Sequence, residues 1–258
     1  METKLKLLLG SLHLPSIVRA ALWSLSLLWV WSSGFAAISA LVFLSISVFA
    51  YFTPFFHTFS FPFSWLVLTL TAPLLVFMIP YGWQFWVATI FLGTLFFALL
   101  ALKNLVLAHR IFWLQGLLSG CLFSLFFIFY GGDLSQEFLW KWLAIFFLSY
   151  FLTREFLKTL RQIWGGEANS VFHPSISRFF PAVSAFFISE AVWVIGTLPL
   201  GFINAAILTS VIAYVWIHCF IKYAEWCFGK VKMGQILIDV LVMVILLCAI
   251  SYSTKWSI

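Results

Sequence analysis

Apolar runs of about twenty residues recur along nearly the whole chain, separated by short polar passages, and a run of that length crosses a bilayer as an α-helix. The pattern predicts spans near Phe35–Phe52, Phe63–Met78, Trp83–Leu102, Ile111–Tyr130, Phe138–Leu152, Ala182–Leu198, Phe202–Ile221 and Gln235–Tyr252. The expected fold is all-α: a polytopic transmembrane helical bundle of about eight spans, seven to nine being allowed, in one membrane domain over residues 1–258. Its last part, 182–258, reads as a three-span unit.

The N-terminal segment 1–34 carries Lys4, Lys6 and Arg19 and reads as basic and interfacial. The run after Arg19 imitates a signal peptide with a small-residue site near Ala40, but Leu41–Phe52 continues apolar without a break, which favours an uncleaved span. Ala20–Phe52 is too long for one upright helix and short for two. Ser32-Ser33-Gly34 is the expected break, leaving a slanted or interfacial helix before the span that follows. Pro62 and Pro80 bracket the next span, and Pro73 lies within it. Lys103, Asn104, His109 and Arg110 read as a polar connection.

The one long polar passage is Thr153–Pro181. Arg154, Lys158 and Arg161 recur at i, i+4 and i+7, on one helix face, with Phe156, Leu157, Leu160 and Trp164 on the others. This predicts a cytoplasmic amphipathic helix that leaves the bilayer, bends at Gly165-Gly166 and sets its basic side against lipid phosphates. A solvated helix end is the plainer reading of the same charges. Glu167–Ser170 and Pro174-Ser175 read as loop.

Composition sharpens this picture. The 258 residues are 64% hydrophobic and 9% charged, against about 25% charged in soluble domains. The net charge of +6 sits beside spans, so it reads as a topology signal and as contacts to anionic lipid, not as a nucleic-acid surface. By parity the basic loops 103–110, 153–181 and 222–234 share one side, which the positive-inside rule makes cytoplasmic. The turns at Asp133/Glu137 and Pro199–Gly201 and the C-terminus then lie outside, in the inner membrane of a bacterium; the side of the N-terminus stays open. Cys121, Cys219, Cys227 and Cys248 show no paired spacing and read as small core residues, while many of the 14 tryptophans fall near span ends, as interfacial belts require.

Candidate chemistry is confined to a few side chains. No HExxH, G-x-S-x-G or phosphate-loop motif occurs and the five histidines are scattered, so no catalytic residue, metal or cofactor is predicted. Glu190, His218 and Asp239 are ionisable groups within spans, with Arg110 at a rim. Helix rise places His218 level with Asp239 and Tyr214 level with Glu190, an intramembrane polar ladder. Interhelical hydrogen bonding is its leading reading, ahead of a proton path and a catalytic site. Gly116, Gly120 and Ser124 form a small-residue stripe for helix packing, within the chain or against another copy.

Ser189–Gly201 (SEAVWVIGTLPLG), Tyr214 in the next span, and Thr254 and Trp256 in the closing STKW carry a resemblance. From about Phe138 onward the chain resembles an uncharacterised family of polytopic membrane proteins from small-genome candidate-phyla bacteria, a domain of unknown function. The resemblance marks Glu190, Pro199, Tyr214, Thr254 and Trp256 and implies no activity. The leading functional expectation is a non-enzymatic subunit or scaffold of an envelope membrane complex, with a membrane protein partner or a homo-oligomer. The alternative is a small proton-coupled transporter using Glu190.

Overall fold

The computed structural model describes residues 2–52, 60–79, 82–103, 109–132, 138–165, 174–198 and 200–227, with isolated positions at 234, 238 and 241. Side chains are described from Pro15 onward, apart from Phe138, 174–178 and 226–227. Every regular element among these residues is helical: α1 Glu2–Ser32, α2 Ala37–Phe52, α3 Pro62–Met78, α4 Trp83–Lys103, α5 Arg110–Gly131, α6 Phe138–Trp164, α7 Pro174–Gly196 and α8 Phe202–Cys227. Among the described residues four stretches are long and apolar enough to cross a membrane: Trp83–Lys103, Arg110–Gly131, Phe179–Gly196 and Phe202–Glu225. Helices α2 and α3 are apolar but shorter, at 16 and 17 residues. The expected span Gln235–Tyr252 lies outside the described residues.

The chain forms two compact units, Met1–Leu117 and Leu118–Ile258, with the division inside α5. In the first unit α1 touches α2, α3 and α4. The break expected at Ser32–Gly34 is present: Gly34 and Phe35 both adopt φ of 62°, and Phe35 N–H returns to the Val30 carbonyl at 3.0 Å. The half of α1 before that break packs within the first unit. Trp23, Leu27 and Val30 are buried, because α1 runs antiparallel along α4 with Trp31 against Phe85 and Trp23 stacked on Phe96, each pair at 4.5 Å. Gly93 permits this approach, since a Cβ there would lie 2.5 Å from Ser24 Oγ.

In the second unit α7 packs on both α6 and α8. Helix α6 is continuous for 27 residues and stops at Gly165, whose φ is 65°. Trp142 on α6 donates to the Ser189 carbonyl on α7, which places these two residues side by side. Pro174-Ser175, expected as loop, instead begin α7, because proline fits a first helical turn, where its missing N–H has no partner to lose.

Candidate functional site

Among the described residues, each unit holds a buried hydroxyl on which several helices converge. In the first it is Ser47 of α2, fully buried. Its Oγ accepts the indole N–H of Trp23 from α1 at 3.2 Å and that of Trp65 from α3 at 3.1 Å, and lies 2.7 Å from Thr69 Oγ1 of α3. A hydroxyl has two lone pairs and one proton. With both lone pairs taken, the Ser47 proton goes to Thr69, so the group is saturated.

The hub of the second unit is Tyr130 near the end of α5. Its hydroxyl donates to the Val192 carbonyl of α7 at 2.9 Å and lies 2.9 Å from Thr209 Oγ1 of α8. Thr209 Oγ1 is also 2.8 Å from the Ala205 carbonyl, so its single proton has two acceptors to choose from. Trp216 Nε1 donates to Ser184 Oγ at 2.9 Å, fastening α8 to α7.

A third polar junction closes one end of the first unit. Lys103, expected in a polar connection, is the last residue of α4 and only 6% exposed. Its Nζ donates to the Tyr51 carbonyl in the last turn of α2 and sits 3.9 Å from the Tyr51 ring centre. The reason is electrostatic: carbonyls at a helix C-terminus lack intrahelical donors, and a cation suits their partial negative charge. The Tyr51 hydroxyl in turn accepts the Phe61 N–H at the start of α3, at 2.8 Å.

The expected polar ladder is divided by the structure. Tyr214 and His218 lie on one face of α8, their rings stacked at 5.8 Å. Asp239 lies outside the described residues. Ser184–Trp216 and the stacked pair Phe180–Phe220 set an antiparallel register of α7 against α8. Extended, that register puts Glu190 level with Ser210, about 6 Å or one turn from Tyr214. Glu190 is half-buried and lies nearly opposite the buried stripe Ala185, Ile188, Val192 and Ile195, on the side of the exposed Phe186 and Trp193. Among the described residues no hydrogen bond joins Glu190 to Tyr214.

The other expected sites fall as follows. On α6, Arg154 and Lys158 are exposed and Arg161 is half-buried, while Phe156, Leu157 and Leu160 are buried, so the amphipathic division is present. In the small-residue stripe, Gly116 is exposed with open space where a Cβ would be, whereas Gly120 and Ser124 are buried, Ser124 donating to the Gly120 carbonyl at 2.9 Å. The stripe thus turns from surface to interior along α5. Cys121 is buried and Cys219 half-buried, the latter beside an open cavity of about 380 Å³ between α7 and α8, lined by Phe179, Phe180, Val183, Trp216 and Tyr223.

Sequence reasoning missed Ser47, Thr69, Tyr130, Thr209 and the structural use of Lys103. The available signal was hydroxyls and tryptophans in the middle of apolar runs. The interfacial-belt expectation suits Trp83 and Trp140, which are exposed near helix starts, but not Trp23, Trp65, Trp142 or Trp216, whose indole N–H groups bond inside the protein. Comparison with protein-family models, with curated proteins and with solved structures finds no match to this chain.

Proposed function

We propose that the chain is a non-enzymatic, multi-span subunit or scaffold of an envelope membrane complex in the cytoplasmic membrane of a bacterium. The observation that carries this reading is the use made of polar groups inside the apolar helices. The hydroxyls of Ser47, Tyr130 and Thr209 and the indoles of Trp23, Trp65 and Trp216 bond across helices, where they fix geometry. Outward surface for a partner is offered by the apolar side of α7 and by Gly116 on α5, where another backbone can approach closely. The basic loops 103–110, 153–181 and 222–234 face the cytoplasm, with Arg154, Lys158 and Arg161 on anionic lipid.

Purification in a mild detergent after crosslinking in the membrane tests this. The proposal expects a stoichiometric protein partner or a homo-oligomer; a monomer enclosing a water-filled cavity contradicts it. Reporter fusions at Gly166 and Gly229 should report the cytoplasm and those at Gly131 and Gly201 the outside. Gly166 and Gly201 on the same side would end this topology.

A second reading is kept for Glu190. Glu190 is a carboxyl group within the apolar segment Phe179–Gly196, flanked by Phe186 and Trp193. In a small proton-coupled transporter it would be the coupling group. In that case Glu190→Gln keeps the fold and abolishes proton-coupled flux in reconstituted vesicles, whereas a scaffold assembles normally with that substitution.

A further inference from the structure

Helix α7 packs on α6 and α8 with its buried stripe and turns its other side outward. On that outward side Phe179, Val183, Phe186, Glu190 and Trp193 follow one another at intervals of four, three, four and three residues. This is the spacing by which two helices share a left-handed seam, and it runs for two heptads, about 21 Å. Its four apolar members are between 48% and 67% exposed, and Glu190 is half-buried among them. Among the described residues neither the Glu190 carboxyl nor the Trp193 indole N–H makes a hydrogen bond. A carboxyl group accepts hydrogen bonds in either protonation state, whereas an indole N–H only donates. The two residues lie about 4.5 Å apart along the axis. Helical side chains lean towards the N-terminus, so the Trp193 ring reaches back to the level of Glu190.

We propose that a second copy of this chain docks on α7 with its own α7, so that Glu190 of each protomer accepts the Trp193 indole N–H of its partner. The proposal rests on the scaffold reading and names the partner that reading calls for. Complementarity selects the occupant. Two copies inserted the same way in one membrane pair about a two-fold axis along the membrane normal, which sets their α7 helices parallel and like residues at equal depth. Across such an axis every contact is made twice, so an electropositive donor and a carboxyl acceptor on one seam satisfy each other reciprocally. Apolar surface alone drives helices together weakly in lipid, and a carboxyl group facing lipid without a partner is costly. The two reciprocal bonds therefore decide where the seam closes, and the apolar members pack around them.

The test uses the full chain, labelled through a terminal tag with a donor or an acceptor dye and mixed in vesicles at decreasing protein-to-lipid ratio, with energy transfer between copies as readout. Trp193→Phe and Glu190→Leu should each raise the dissociation constant about tenfold, because each removes both reciprocal bonds and one such bond averages a factor of about three. Glu190→Gln keeps an acceptor oxygen and should stay within about threefold of the unaltered chain. Trp83→Phe, at an exposed tryptophan of α4, should leave association unchanged. The melting temperature of each variant checks that it folds; should one of the two damaging variants fail, the other decides the matter. Transfer undiminished in Trp193→Phe and Glu190→Leu, or equal losses in Glu190→Gln and Glu190→Leu, overturns the reciprocal bonds. Absence of transfer at every dilution overturns the seam: the scaffold reading stands without it where a different protein is crosslinked in stoichiometric amount, and falls with it where none is.

Discussion

In the unit Met1–Leu117 the central polar junction is made of side chains, whereas in Leu118–Ile258 it leans on the backbone. Ser47 receives two indole N–H groups and gives its proton to Thr69; its removal strands the Trp23 donor, while the Trp65 indole keeps the Ser47 carbonyl at 3.3 Å. Tyr130 gives its proton to the Val192 carbonyl, and its other neighbour, Thr209, has the Ala205 carbonyl in reserve. A peptide carbonyl inside a helix already has its own donor, so losing Tyr130 costs it little. The two hubs look alike as hydrogen-bond diagrams and differ in what each would leave unpaired. That quantity governs the energetic consequence, because an orphaned buried donor costs more than a bond is worth.

The comparison predicts a ranked series of effects on unfolding free energy in detergent or bicelles. Ser47→Ala should be the most damaging, at about 2 kcal/mol, since it orphans the buried Trp23 indole and removes one of the two acceptors of Trp65. A loss no larger than that of Tyr130→Phe would remove the distinction between the hubs. Gly93→Ala should follow, at about 1 kcal/mol, because its Cβ would force Ser24 away from the Ala20 carbonyl it bonds at 2.9 Å. Ser24→Ala in the same chain should recover most of that loss; a double variant as unstable as Gly93→Ala alone would show that the contact is not the cause. Tyr130→Phe should cost about 0.6 kcal/mol, the average of interhelical hydrogen bonds in bilayers. Thr209→Val combined with it should add little, as the two share one bond.

Legibility from sequence followed the strength of the physical signal. Apolar runs placed α4, α5 and α8 to within a residue or two at most ends, because hydropathy integrates over many positions. The break before Phe35 was legible from Ser32-Ser33-Gly34, and the two-sided end of α6 from the spacing of Arg154, Lys158 and Arg161. Single polar contacts were not. Depth along a helix can be counted from the sequence, and it put Tyr214 within a turn of Glu190, but rotation about the axis cannot, and Glu190 lies on the side of α7 away from its buried stripe. Ser47 was illegible for the complementary reason. Its partners come from α1 and α3, and their convergence depends on how three helices pack. Lys103 was read by its charge as loop; the exposed carbonyls at the end of α2 drew it inward instead.

The central claim, that polar groups within the apolar helices act as clasps between them, is tested most directly by a double-mutant cycle on Trp23 and Ser47, whose atoms lie 3.2 Å apart. Trp23→Phe, Ser47→Ala and the double variant would be unfolded with SDS in mixed micelles, alongside the unaltered chain. The clasp predicts that the double variant loses less than the two single losses combined, by about 1 kcal/mol. Losses that add to within about 0.3 kcal/mol would mean that the indole and the hydroxyl do not support each other, and would contradict the account.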